Sequence, residues 1–268
     1  MNYLRHAGIN SNRGISAGLW RDAPIDEVVR GYKDGVYFAD DFTQGGPILA
    51  TAASAVGVVG EYRGFTSDGG VIGDAGLYGG ALELYADGDN EGASFQSAVA
   101  PFQIALTKGD LWFEARVKVA AIVDAKKGFL LGLGAASALA AAVPITAAGA
   151  LANINFVGFQ NVEDDGKTVD VLYKADGVNA VVLAEALITL AADTWIKLGL
   201  RYRTKTGKLS YFVNGVEQAA TYSLITTAGN PFPNDVALAP TFAMLNGAAE
   251  ANKVNIDWMR CLQLDFNE

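Results

Sequence analysis

Residues 193–218 carry the pattern that most restricts the fold. Their sequence, DTWIKLGLRYRTKTGKLSYFVNGVEQ, places apolar side chains at every second position over residues 196–202, which predicts a strand with one buried face and one solvated face. A turn at residues 204–207 leads to a second alternating segment, residues 209–213, and Asn214-Gly215 follows it. Asn and Gly tolerate the positive φ angles of a type I′ turn. The segment therefore predicts two successive antiparallel hairpins.

The same two-residue period recurs near residues 111–119 and 254–264. Turn signals separate about a dozen such segments, a spacing typical of sandwiches and jelly rolls. With 51% hydrophobic and 18% charged residues, the chain can fill one large core. We therefore predict a single all-β antiparallel sandwich over residues 36–268. The side chains predicted to point inward are Leu111, Phe113, Val117, Ile196, Leu198, Leu200, Leu209, Tyr211, Ile256, Trp258 and Leu262.

The Trp-led strand, the short basic turn and the aromatic-Val-Asn-Gly ending within residues 195–215 resemble the laminin-G and concanavalin A-like jelly-roll superfamily. The closing segment VNIDWMRCLQL, residues 254–264, resembles the last strand of that superfamily. The resemblance covers most of the chain from about residue 36 onward. It implies a concanavalin A-like jelly-roll fold. The motifs that carry it are features of the strands and turns, and they indicate no particular activity.

Composition excludes several classes of function. The net charge of −9 and the scattered basic residues argue against nucleic-acid binding, and the local cluster from Arg201 to Lys208 reads as a charged strand edge. Cys261 is the single cysteine, so no disulfide framework exists and a reducing cytoplasm suits assembly. The start of the chain lacks a secretory pattern. Residues 135–152 are Ala-rich and contain Pro144, which argues against a membrane span and predicts a helix or a loop.

Residues 1–35 show no alternation and are predicted to form an irregular N-terminal arm, with a helical turn or two near residues 23–30. The arm is more apolar than free tails usually are. We expect it to dock on its own sandwich or on a neighbouring subunit. We further expect it to make the functional contact, with an adjacent copy or a capsid shell, and the sandwich to fold without it. The predicted partner-binding residues are Tyr3, Leu4, Arg5, Ile9, Arg13, Leu19, Trp20 and Arg21.

The sequence offers no catalytic set. The only histidine, His6, lies in the arm, and no strand carries two carboxylates at the spacing that glycoside hydrolysis needs. One irregular Ca²⁺ site is a candidate, because Asp87, Asp89 and Glu91 alternate in a glycine-rich loop. An EF-hand is excluded, since the twelfth position of that loop is Ala98. No other cofactor is expected.

Aromatic side chains suggest a sugar platform as a further possibility. Trp112 lies on the polar side of its strand, and Tyr62, Tyr78 and Tyr85 lie near glycine-rich loops. By contrast, Trp195 and Trp258 lie within alternating segments and are expected to be buried or between the sheets.

Two function classes remain open, and a glucanase-type enzyme is the weakest alternative. Capsid-associated proteins in general resemble this plan of a rigid β-body with an arm. The first hypothesis is therefore a non-enzymatic decoration or cement subunit of a tailed bacteriophage, made in the host cytoplasm and located in the virion. Its partners would be the major capsid protein and copies of itself, with no nucleic acid and no membrane. The alternative is a lectin-like module that binds a glycan on a virion or cell surface.

Overall fold

The computed structural model describes residues 12–43, 49–50, 55–67, 69–77, 79–122, 128–136, 138–139, 142–161, 167–223 and 231–265. Two short helices occur in the arm: α1 (Ala17–Trp20) and α2 (Ile25–Val29). The strands are β1 (Gly35–Asp40), β2 (Leu49–Ala50), β3 (Ala55–Val59), β4 (Tyr62–Thr66), β5 (Val71–Asp74), β6 (Leu82–Ala86), β7 (Gly92–Ser97), β8 (Leu111–Val119), β9 (Phe129–Ala135), β10 (Phe156–Asn161), β11 (Thr168–Lys174), β12 (Val181–Thr189), β13 (Ile196–Arg203), β14 (Lys208–Val213), β15 (Val216–Ser223), β16 (Leu238–Leu245) and β17 (Asn252–Leu264).

The strands form two antiparallel sheets packed face to face, which confirms the predicted sandwich. Sheet A has the order β15-β14-β13-β8-β17-β6-β5-β2. Strand β17 is long enough to pair with two strands along the same edge: its N-terminal part pairs with β6 and its C-terminal part pairs with β1. Sheet B has the order β12-β11-β10-β9-β16-β7-β4-β3. Strands close in sequence often lie far apart in this order, as in a jelly roll. The predicted hairpins of β13, β14 and β15 are present, and Asn214 and Gly215 take φ angles of 49° and 80° in the tight turn.

The main core lies between the sheets and contains most of the side chains predicted to point inward. Trp258 and Leu262 are exceptions, and their prediction is corrected here. A β-bulge between Ile256 and Trp258 inserts one extra residue into β17. Because side chains alternate with a period of two, the bulge reverses the face of the sheet to which each later side chain of β17 points. Met259 and Cys261 therefore enter the core, while Trp258 and Leu262 lie on the outer face of sheet A.

The outer face of sheet B is covered by part of the Ala-rich segment. Val143, Ile145 and Leu151 are buried in one cluster with Phe65 and Phe156 of the sheet. The described part of this segment holds turns and a bridge between Ile145 and Leu151, and it contains no helix. Of the two structures expected from sequence, the loop is the one seen in those residues.

The arm contains α1 and α2, so the predicted helical turn near residues 23–30 is present. Within the described ranges, no helix has the length and apolar character needed to cross a bilayer. Residues 13–22, which we call the strap, run across the outer face of sheet A. The path of the strap positions the candidate site.

Candidate functional site

The strap buries apolar side chains against sheet A of the same chain. Leu19 is 0% and Trp20 is 5% exposed, and both cluster with Trp112 and Phe212. Room for Leu19 comes from Gly199 on β13, because a Cβ there would lie 2.6 Å from the Leu19 Cδ2. We call the surface beneath the strap, formed by the outer faces of β8, β13, β14 and β17, the groove.

A buried carboxylate at the centre of the groove receives two donors from the strap. Glu114 on β8 is 0% exposed. Its Oε2 accepts hydrogen bonds from the Ser16 backbone N–H at 3.0 Å and from Trp20 Nε1 at 2.8 Å. Its Oε1 is buried without a hydrogen-bond partner among the described residues. Burial raises the pKa of this carboxyl above its ordinary value, although both donors and Lys197 act in the opposite direction.

A buried ion pair holds the N-terminal end of the strap. Asp257, the residue at the bulge of β17, is 0% exposed and lies 2.6 Å from Arg116 Nη1 and 3.4 Å from Arg13 Nη2. Trp258 Nε1 donates to the Arg13 carbonyl at 2.7 Å, and Lys197 Nζ donates to a strap carbonyl at 3.2 Å. These contacts fix the backbone of the strap and not only its side chains.

The C-terminal end of the strap is held by Asp22. Its carboxylate accepts from Trp112 Nε1 at 3.4 Å and forms an ion pair with Arg203. Arg203 also pairs with Asp110 at 2.7 Å and lies 5.1 Å from the centroid of the Trp112 ring. The basic cluster that was interpreted as a charged strand edge thus contributes Arg203 to the docking of the arm.

Glu114 predicts a pH dependence of stability. Between the ordinary carboxyl pKa and the raised pKa, the folded protein binds the proton more tightly than the unfolded chain, so stability is lost as the pH rises through that interval. Glu114→Gln keeps one acceptor oxygen for both donors and cannot ionise. We therefore expect the urea midpoint of the native protein to rise relative to that of the variant as the pH falls from about 8 to about 4. Parallel midpoints across that range would contradict the prediction.

Beside the strap lies an open cleft with a volume of about 540 Å³. Trp195, half-buried, contributes its aromatic ring, with the Arg116 guanidinium 4.4 Å and Lys118 Nζ 5.5 Å from the ring centroid. Lys118 also pairs with Asp193 at 3.4 Å. The residues that line the cleft are Asn12, Arg116, Asp193, Thr194, Trp195, Lys197 and Asn214. An aromatic ring beside amide, hydroxyl and charged groups can hold a small polar ligand.

The structure of the single chain places the predicted partner-binding residues in different surroundings. Leu19 and Trp20 pack on their own sandwich, the first of the two docking alternatives, because the groove offers matched apolar space and a hydrogen-bond acceptor. Arg13 is half-exposed and Arg21 is exposed. The remaining predicted residues, Tyr3, Leu4, Arg5 and Ile9, lie outside the described residues.

The predicted Ca²⁺ ligands are not brought together. The Glu91 carboxylate accepts from the Gly88 N–H at 2.7 Å, and Asp87 accepts from Tyr85 Oη at 3.3 Å. Among the described residues no group of three or more His, Cys, Asp or Glu is arranged to hold a metal ion. Asp87, Asp89 and Glu91 thus act as loop residues in this structure.

The predicted sugar platform is corrected for Trp112 and Tyr62, whereas Tyr85 is partly exposed. Trp112 is 1% exposed because the strap covers it. Tyr62 is buried and donates to Asp40, and Tyr78 lies outside the described residues. Trp195, expected to be buried, is instead the aromatic residue of the cleft, because it precedes the first paired residue of β13.

Cys261 is 0% exposed within the core, and burial raises the pKa of its thiol well above the ordinary value. The expected shielded thiol is therefore confirmed.

Sequence reasoning missed the roles of Glu114, Asp257 and Trp258 at the groove. One signal was available: the polar side of β8 carries Trp112, Glu114 and Arg116 at alternate positions, a composition that also suits a buried polar contact.

Comparison with known proteins supports the fold. Neither the models of known protein families nor the curated proteins gave a match to this sequence. Among solved structures, peanut lectin superposes with a TM-score of 0.54 at 14% identity, over 86% of this chain and 97% of the lectin. A protein of unknown function from Shewanella oneidensis MR-1 gives 0.53 at 12% identity, over 92% and 96% of the two chains. The exoplasmic/lumenal domain of VIP36, in a Ca²⁺- and Man3GlcNAc-bound form, gives 0.52 at 12% identity, over 79% and 87%. The chain therefore has a concanavalin A-like jelly-roll fold.

Proposed function

We propose that this protein is a non-enzymatic structural subunit that works through its N-terminal arm. In this proposal it decorates or cements the capsid of a tailed bacteriophage, in contact with the major capsid protein and with copies of itself. The observation that carries the proposal is the groove, in which buried Glu114 and Asp257 are matched by donors of the strap. Because the groove fixes the strap and β1 pairs with β17, the residues between them, 23–34, are tethered to sheet A at both ends.

The exposed part of the arm supports a contact with another surface. Val29 and Tyr32 are 61% and 79% exposed, among the most exposed large apolar side chains in the described residues. Burying such side chains in an interface contributes about 25 cal/mol per Å² of apolar area. Arg21 of the same arm is also exposed and can pair with an acidic partner and set register.

The burial of the acidic side chains on the outer face of sheet A favours a non-enzymatic function. Glu114 and Asp257 are buried beneath the strap and hydrogen-bonded to it or paired. A general acid or base must instead lie within hydrogen-bond reach of a substrate.

The test is to purify virions from a host that carries this gene and to measure the ratio of this chain to the major capsid protein by mass spectrometry. We expect a fixed ratio for the native chain and a ratio lower by about tenfold or more for a Val29→Ser, Tyr32→Ser variant. Val216→Ser is the matched control, because Val216 is 64% exposed on β15, outside the arm. Absence of the native chain from purified virions would refute the proposal.

Carbohydrate binding is the second candidate, and the cleft at Trp195 favours it. A half-exposed indole can stack on a sugar ring, while Asn214 and Asp193 supply polar groups at the rim. Screening the full chain against a glycan array would separate the two functions. A glycan signal that Trp195→Ala abolishes, in a chain absent from virions, would favour the lectin-like function over the structural one.

A further inference from the structure

The segment that joins the strap to the sandwich, residues 23–34, is held much less firmly than the strap. Its helix α2 has no fully buried residue, Ile25 and Val28 pack only partly buried against the strap cluster, and its N-cap, Pro24, makes no side-chain cap. The hydrogen bonds of α2 are local, as from the Arg30 N–H to the Asp26 carbonyl. A short helix without buried residues contributes little stability of its own. Opening this linker therefore costs far less than removing the strap from the groove.

Recognition of the strap does not depend on the linker. The groups that bind the strap, among them Glu114, Asp257 and Arg203, belong to the sandwich. A groove built in this way binds an identical strap equally well whether it comes from the same chain or from a second copy. Fully extended, the twelve linker residues span on the order of 40 Å at about 3.3 Å each. An opened linker can therefore reach the groove of an adjoining copy.

We propose that neighbouring copies of this chain exchange their straps, each groove holding the strap of the next copy. The inference deepens the proposed function, on which it rests, because it names the partner of the arm as a second copy. Exchange joins subunits without requiring any new contact surface, since every strap contact of the single chain is reused.

Engineered cysteines test the exchange in the full chain. Leu19→Cys on the strap and Gly199→Cys beneath it place two thiols at neighbouring positions, because a Cβ at 199 lies next to Leu19. The native Cys261 is fully buried and does not interfere. We expect two differently tagged chains that each carry both substitutions, so that no native Leu19 meets a Cβ at position 199, to form a covalent dimer on oxidation. The matched control pairs Leu19→Cys with Thr206→Cys, an exposed turn position, and should give at least tenfold less dimer.

The double variant also separates this inference from the proposed function. Intrachain cross-linking in the double variant without interchain cross-linking between the two tagged chains overturns exchange, and leaves the attachment of the arm to be judged by the virion measurement. Interchain cross-linking in a chain that is absent from virions supports exchange and refutes capsid decoration.

A second measurement avoids changing the strap. Gly31 in the linker has a φ of 74° with nothing within 4 Å of a Cβ there, so Gly31→Val strains the closed turn without a clash. An extended linker relieves that strain. We expect Gly31→Val to raise the dimer fraction several-fold in sedimentation at high salt, which screens the −9 charge of each copy. Gly177→Val, at a φ of 80° in an equally open turn, is the control and should leave the dimer fraction unchanged. Equal dimer fractions for the two variants would overturn the inference.

Discussion

Changing Trp20 to Ala is expected to lower the free energy of unfolding by about 3–5 kcal/mol, the usual cost of removing a buried aromatic side chain. Trp20 is 5% exposed and packs in the cluster with Trp112 and Phe212. Its removal also leaves Glu114 with one donor fewer at a fully buried carboxylate. Urea unfolding of the full chain measures the effect as a lower midpoint at an unchanged slope.

Two comparisons sharpen this prediction. Trp20→Phe keeps most of the apolar area and loses only the hydrogen bond, so its cost should be about 1–3 kcal/mol. Tyr32→Ala changes an aromatic side chain of the same arm that is 79% exposed, and should stay within about 0.5 kcal/mol of the native protein. Equal effects of Trp20→Ala and Tyr32→Ala would mean that the strap does not dock in solution.

The same contacts bear on the prediction that the sandwich folds without its arm. The strands are complete without the arm, but deletion would expose Trp112 and Phe212 on the outer face of sheet A. It would also remove the donors that Ser16 and Trp20 supply to Glu114. A truncated chain is therefore a poor test of attachment, because lost stability and lost binding would be confounded.

The second large effect is expected at Asp257. Asp257→Asn leaves Arg116 buried beside a neutral partner, and breaking a buried ion pair in this way costs about 3–5 kcal/mol. Asp193→Asn is the matched control: the chemical change is identical, but the Asp193 side chain is 70% exposed in its pair with Lys118. Asn also tolerates the positive φ of 54° at position 193. That control should cost less than about 1 kcal/mol.

Thermal and urea unfolding of the two Asn variants, side by side at neutral pH, measure the contrast. Comparable losses at positions 257 and 193 would show that the pair between Asp257 and Arg116 is solvated. The double variant Arg116→Met, Asp257→Leu offers a further check, because replacing a buried pair by apolar side chains of similar size often costs little. Its stability should exceed that of Asp257→Asn.

The sequence was a good guide to the sandwich, because alternation reports directly which face of a strand is buried. It misassigned Trp258 and Leu262 because a bulge leaves no mark in the alternation of a single strand. It likewise assigned Trp112 to a solvated face, since period two distinguishes the two faces of a strand but does not identify what covers the outer one. The cleft at Trp195 depends on where a distant strap lies, which is a property of the tertiary structure.

The sequence separation between strap and groove has a consequence for synthesis. Arg13 contacts Asp257 and Trp258, which lie 244 and 245 residues further along the chain. At a translation rate of about 5–20 residues per second, the strap leaves the ribosome roughly 12–50 s before its binding surface exists. The first segment to be synthesised is thus among the last to dock. During that interval it can bind the groove of a completed neighbouring chain whose own groove is vacant.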